Sequence, residues 1–202
     1  MRVRTVLLSG LLALTACSDN IGREGTILPA GLRLSEGDVV FRRGGGFTSH
    51  AVLMADNGGV YSHVGIVADS AGQLVVIHAV PGEPDFEGDE DRVKMERPAD
   101  FFARMRADRG AVYRPLDSIA ALQAARRAVA IYRRHTLFDH DYDDSDTTAL
   151  YCTELVVHAY SKTRRPMSGL SRHHLPLVGF EADCVLPSDI LHCKDFKLIT
   201  SF

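Results

Sequence analysis

Three side chains in this chain of 202 residues are of the types that make nucleophilic chemistry together: Cys152, His63 and His78. Cys152 lies in Leu150-Tyr151-Cys152-Thr153-Glu154-Leu155-Val156-Val157, where an acidic, polar stretch gives way to a helical apolar period. A thiol in the first turn of a helix feels about half a positive charge from the aligned peptide dipoles, which favours thiolate. A protonated His63 beside it would lower its pKa further, and a neutral one would take its proton. The Cys152 backbone N–H, which the helix ladder does not use, is a candidate donor to an oxyanion. Such a set would run a cysteine hydrolase or acyltransferase through a thioester.

The histidines need elements that hold them still. His63 falls in Tyr61-Ser62-His63-Val64-Gly65-Ile66-Val67 and His78 in Val75-Val76-Ile77-His78-Ala79, both strand-like. The segments 60–68 and 73–80 read as a hairpin closed by Asp69-Ser70-Ala71-Gly72. With the turn centred on the Ser70–Ala71 bond, His63 and His78 are equidistant from it and face each other, Cβ atoms ~5 Å apart. One imidazole would then orient the other, as the base and orienting group of a triad do. A one-residue slip would put them on opposite faces.

The remaining chain supplies packing for that hairpin. Gly37-Asp38 opens a strand at Val39-Val40-Phe41, and 42–59, with Gly44-Gly45-Gly46 at its centre, reads as a flexible connection beside the site. Residues 81–97 read as an acidic loop, 99–105 as a short helix and 111–114 as a strand. Asp117 is a candidate N-cap for a helix to about Arg134, with Leu122, Ala125, Val129 and Tyr132 inward. The helix from Cys152 turns Leu155, Val156, Ala159 and Tyr160 inward, and Glu154 reads as its cap rather than as a catalytic group. The tail carries a short turn or helix at 187–191 and a last strand. An α+β fold follows, an antiparallel sheet packed by helices.

The first residues read as a processing segment. Arg2 and Arg4 precede a short apolar run, Val6 to Leu14. A spanning helix needs about 20 apolar residues, so this run reads as a signal. Leu14-Thr15-Ala16-Cys17 resembles a bacterial lipobox, which implies lipid on Cys17 and a membrane anchor, with Ser18 favouring the outer membrane facing the periplasm. The divisions are then 1–16 signal peptide, 17–31 lipidated terminus and tether, and 32–202 one domain. A net charge of −3 with scattered basic residues speaks against a nucleic-acid partner. With Cys17 lipidated in an oxidising compartment, Cys184 and Cys193 are close enough in sequence to pair, which would leave Cys152 the odd thiol. Sequence alone does not fix that connectivity.

Other polar clusters carry less. Counted from Asp139, the acidic run places Asp144 and Leu150 where a calcium loop needs Gly and Glu, so no metal site is expected there. His173-His174 lacks partners at ligand spacing and reads as a surface pair. No cofactor is expected.

The chain resembles the permuted papain-like amidases of the YaeF/YiiX type, relatives of the NlpC-type cell-wall peptidases. The resembling residues are Gly37-Asp38-Val39-Val40-Phe41, Ser62-His63-Val64-Gly65-Ile66-Val67, Val76-Ile77-His78-Ala79, Phe138-Asp139, Tyr151-Cys152-Thr153-Glu154-Leu155-Val156 and Pro187-Ser188-Asp189-Ile190-Leu191. The order of histidine before cysteine is that of the permuted members. The resemblance implies a circularly permuted papain-like fold, with Cys152 the nucleophile, His63 the general base and acid, and His78 the orienting third residue, where relatives carry Glu instead. It implies an amide or ester substrate: a peptide, cell-wall-derived among others, or an acyl lipid if Phe41, Phe47 and Phe86 line a groove. A lipoprotein that keeps the cleft without turnover is the non-enzymatic alternative.

Overall fold

A computed structural model describes residues 25–143, 146–177 and 180–202. The signal segment and Cys17 lie outside the described residues. The core is a six-stranded, fully antiparallel sheet in the order β4-β3-β2-β1-β5-β8. Its strands are β1 (Val39–Arg43), β2 (His63–Ser70), β3 (Gln73–Val80), β4 (Arg92–Glu96), β5 (Arg109–Pro115) and β8 (Phe196–Ser201). A separate two-stranded antiparallel sheet pairs β6 (His173–Leu177) with β7 (Phe180–Cys184). The helices are α1 (Phe47–Ala55), α2 (Pro98–Phe101), α3 (Ser118–Arg133), α4 (Cys152–Ser161) and α5 (Pro187–Leu191). The α+β architecture expected from the sequence is the one observed.

Strand alternation divides the apolar residues between two faces. Val39, Phe41, Val64, Ile66, Ala68 and Ile77 point toward α3 and α4 in the larger core. Val40, Val67, Val76 and Val112 point to the other face and pack on Phe101 and Phe102. His63 and His78 share the parity of this second face, and both rings contact Phe101, at 5.7 and 5.1 Å between centroids.

Asp117 caps α3 as expected, accepting from the Ile119 and Ala120 amides at 2.9 Å. Of the inward face expected for α3, Ala125 and Val129 are buried and Tyr132 packs on the core, and only Leu122 departs from it. Ala120, Ala121, Ala124, Ala125 and Ala128 are buried, while Leu122 is exposed. Small side chains let the helix approach the sheet closely, and Gly37 shows how closely: a Cβ there would stand 2.6 Å from the Ala121 Cα, and its φ is +81°. The next residue, Asp38, is buried and holds Arg114 through two bonds of 2.8 Å. In α4 the inward set is as expected, and Glu154 accepts from the Tyr151 amide at 3.2 Å, a capping contact.

Two segments read as loops contain elements. The glycine-rich connection holds α1, none of whose residues is buried. The acidic stretch 81–97 holds β4, which ladders with β3 from His78↔Lys94 to Val80↔Arg92 and back to Val76↔Glu96.

Candidate functional site

The hairpin register is displaced from the expected one. Ser70 pairs with Gln73 and Ile66 with Ile77, so the loop is the two residues Ala71 and Gly72. Both have positive φ, 55° and 81°, as a two-residue hairpin turn matched to the strand twist requires. Relative to the expected register the partner moves by two residues, which preserves the face. His63 and His78 are therefore diagonal rather than opposite neighbours. They still meet, His63 Nε2 to His78 Nδ1 at 2.8 Å.

The position facing His78 within the hairpin is Gly65. A Cβ there would lie 3.1 Å from the His78 Cβ and 2.7 Å from Val76 Cγ1. The missing side chain leaves His78 the room to lean across to His63. The β2–β3 ladder runs only as far as Ile66↔Ile77, and beyond it lie His63 and Val64.

Cys152 arrives at this end of β2 from the other face of the sheet, as the first residue of α4. Its Sγ has the amides of Val64, Thr153 and Cys152 itself as hydrogen-bonding neighbours, and the Arg42 charge acts on it. The start of α4 is held by Thr153 Oγ1, which donates to Val185 O at 2.6 Å, and by Tyr151 Oη, which accepts from Val185 N at 3.3 Å. The Cys152 amide expected to serve an oxyanion is one of the three around the sulfur.

The ionisation state differs from the expected ion pair. Cys152 is only half-buried at its surface, yet desolvation by the atoms packed around it pushes the thiol up to about 11, against the smaller opposing pull of the three amides and Arg42. Burial and the Arg42 charge hold His63 well below the ordinary imidazole value, with the His78 ring adding to the effect. His78 is held down by burial and by Arg42, Arg106 and Lys94. At neutral pH the Cys152 thiol and both imidazoles are therefore neutral. The helix dipole does not overcome desolvation here.

One consequence is readable in stability. Below the ordinary value of 6.5 the unfolded chain protonates these two histidines while the folded chain does not, so folding stability falls as pH falls. The slope is about 1.4 kcal/mol per pH unit for each imidazole. Urea unfolding at pH 7 and pH 5 should show this loss, and a His78→Phe chain that keeps its fold should show a shallower one. Equal pH slopes in the two chains would mean that His78 titrates normally.

Glu96 belongs to the acidic stretch 81–97, whose composition marks a loop, and it is a member of the site. Its Oε1 lies 2.8 Å from His78 Nε2, and its Oε2 accepts from Arg106 Nη1 at 2.9 Å. The signal was present in the alternation Arg92-Val93-Lys94-Met95-Glu96, a period of two that marks a strand. Around it, Arg42 is buried, stacks over Phe101 with its guanidinium carbon 4.7 Å from the ring, and pairs with Glu83. Lys94, also buried, donates to Asp89 Oδ2 at 2.7 Å.

Two cavities open on the site. One of about 170 Å³ holds Cys152 and is walled by Ala51, Val52, Val185, Leu186 and Pro187, with Tyr142 and Tyr151. The other, of about 380 Å³, holds His63 and is walled by Arg42, Arg106, Glu83, Ser62 and the glycine-rich loop. Thr48 of α1 belongs to both. Phe41, Phe47 and Phe86, which would favour an acyl-lipid substrate if they lined a groove, do not line one, since Phe41 is in the core while Phe47 and Phe86 are exposed.

Cys184 and Cys193 stand as buried thiols rather than a disulfide. Cys184 faces the Cys152 cavity, whereas Cys193 Sγ lies 3.7 Å from Ser168 O and 3.5 Å from Asp195 Oδ2. Cys152 is thus one of three thiols, and the parity argument does not single it out. His173 and His174 pair with Asp189 and Asp183, each at 3.0 Å. Asp139 accepts from the Asp141 and Asp143 amides, so the acidic loop closes on itself.

No family model matches the chain, and no curated protein matches it in sequence. Among solved structures it is similar to the crystal structure of metalloprotein yiiX from Escherichia coli O157:H7, a DUF1105 protein. The TM-score is 0.66 at 16% identity, over 85% of this chain and 99% of that one. At that identity the likeness is one of fold.

Proposed function

We propose that the chain is a lipid-anchored cysteine hydrolase of permuted papain-like type, cleaving an amide bond through a thioester on Cys152. The observation that carries this reading is the His63–His78 hydrogen bond at the end of β2 where the Val64 amide meets Cys152 Sγ. With thiol and imidazole both neutral, the nucleophile is generated during attack. As sulfur bonds to the carbonyl carbon, its proton passes to His63, a general-base step. The protonated His63 then gives that proton to the departing amine. Water, losing a proton to His63, cleaves the thioester and restores the thiol. Amides around the sulfur would donate to charge developing on the attacked oxygen.

The two cavities orient a substrate. The acyl side enters the apolar cavity at Cys152, and the leaving group lies on the His63 side among Arg42, Arg106 and Glu83. The apolar walls also favour a second reading, an acyl-lipid hydrolase or acyltransferase. The fold neighbour is described as a metalloprotein. In this chain, among the described residues, no three His, Cys, Asp or Glu are gathered as a metal would need, and no step is assigned to one.

Intact-mass analysis of the chain extracted from envelopes tests the reading. It should show a lipid adduct on Cys17 and, after incubation with N-acyl peptides or acyl lipids, a hydroxylamine-labile acyl adduct on Cys152. The class that forms the adduct decides between the two substrate readings. Unchanged turnover in a Cys152→Ala chain would overturn the enzyme reading, and an unmodified Cys17 the anchor.

A further inference from the structure

We propose that Glu96 is a positioning residue that fixes, through His78, which nitrogen of His63 is bare; this rests on the hydrolase reading for its consequence but not for its geometry. An ionised carboxylate can only accept, so the 2.8 Å contact of Glu96 Oε1 requires the proton on His78 Nε2. A neutral His78 then has a bare Nδ1, which accepts from His63 Nε2 at 2.8 Å. His63 carries its proton on Nε2 and keeps Nδ1 as its one basic atom. The hydrogen-bond network assigns all three positions from one end.

Glu96 suits this task because both of its oxygens face donors. Arg106 Nη1 holds Oε2 at 2.9 Å, which stops the carboxylate turning. The Glu96 side chain is 8% exposed and His78 is fully buried, so water does not compete for the chain of contacts. The groups facing this carboxylate are Arg106 from the loop, Arg42 from β1, Lys94 from its own strand, His78 from β3 and Asp100 from α2. Burial, with Asp100 adding to it, raises the Glu96 carboxyl above its ordinary value, against the opposing pull of Arg106, Arg42 and Lys94.

When Cys152 attacks, its S–H proton goes to His63 Nδ1 and the new positive charge is shared along Nε2–H to His78 and on to Glu96. No proton needs to leave His63. Protonating Glu96 reverses the network. Its O–H would donate to His78 Nε2, His78 would donate from Nδ1 to His63 Nε2, and His63 would be left with its proton on Nδ1, unable to accept. The acid limb of the pH profile therefore contains the titration of Glu96.

Glu96→Gln makes the same reversal without a charge. The glutamine has one oxygen, which the always-charged Arg106 claims, and its NH₂ then faces His78 Nε2. A wrong tautomer behind a catalytic base costs about 10⁴-fold when the orienting group touches that base. With one ring between, roughly a hundredfold loss of turnover is expected, with unfolding midpoint unchanged.

Long-range ¹H–¹⁵N spectra of the full mature chain, labelled at histidine, read the tautomers directly. The wild type should show His63 and His78 both bare at Nδ1, and Glu96→Gln both bare at Nε2. Adding Arg106→Met to Glu96→Gln releases the glutamine oxygen toward His78 and should restore the wild-type pattern and part of the rate, which a merely structural role for Glu96 would not do. A wild-type His63 protonated at Nδ1, or a Gln variant with unchanged tautomers, overturns the assignment. The wild-type spectrum decides it even if a variant fails to fold. Expected tautomers in a chain that forms no adduct on Cys152 would support the role of Glu96 and overturn the hydrolase reading instead.

Discussion

Alanine at His63 is expected to lower turnover by about 10²- to 10⁴-fold while leaving the resting reactivity of Cys152 nearly as it was. The two halves of this expectation have separate causes. Turnover needs a base in the transition state, and His63 is the imidazole on β2 beside the Val64 amide that meets the sulfur. Resting reactivity depends on thiolate, and burial pushes the Cys152 thiol up to about 11. Alkylation by iodoacetamide should accordingly rise with pH up to about 11 in both wild type and His63→Ala. An ion pair would behave differently: its wild-type alkylation rate would level off well below ~8.5 and the plateau would vanish with the imidazole. A neutral-pH plateau in the wild type would overturn the neutral-pair description of the site. Comparable turnover in the two chains would remove His63 from the mechanism.

The second large effect comes from a single methyl group. Gly65→Ala would ordinarily favour a strand, since glycine weakens strand interiors. Here its Cβ would stand 2.7 Å from Val76 Cγ1 and 3.1 Å from both the His78 Cβ and the Ile77 carbonyl oxygen. Val76 and His78 are both fully buried in β3, Val76 laddered to β2 and β4 and His78 to β4, so they have little room to give. Overpacking of this kind costs about 1–3 kcal/mol. The displacement also falls on the ring that orients His63, and a misplacement of about 1 Å can cost on the order of 10²-fold in rate. Chemical denaturation and turnover measured together check both. A stabilised Gly65→Ala chain with full activity would show that His78 does not depend on this gap.

What the sequence made legible follows from period and parity. The helix after Cys152 carries a clean apolar face and a glutamate that caps it, so both its start and its orientation were readable. The two histidines were placed on one face correctly although the turn was centred one bond early, because an error of two in the partner leaves parity unchanged. Where burial decides, sequence reasoning erred. The macrodipole at Cys152 can be inferred from a helix start, but desolvation by the walls around it cannot, and desolvation is the larger effect. Alanines on α3 look weaker than Leu122 as core residues, yet closeness to Gly37 requires them. Glu96 was hidden by composition: five residues of strand stand behind a run of acids and glycines that reads as loop. The Cys184–Cys193 pairing was suggested by proximity in sequence, which the β7 and α5 placements do not respect.

The order of the strands divides the site unequally in chain entropy. His63, His78 and Glu96 occupy β2, β3 and β4, consecutive both in sequence and in the sheet, joined by a two-residue turn and a loop of about 11 residues. Bringing Cys152 to Val64 closes a loop roughly eight times as long. Three doublings of loop length cost only about 1.8 kcal/mol. The base and its orienting groups are thus a local assembly in sequence, joined by short connections. The nucleophile is a distant segment held there by α4 packing and by the two contacts to Val185. Loosening α4 would move the sulfur away from the Val64 amide and leave the other three residues joined.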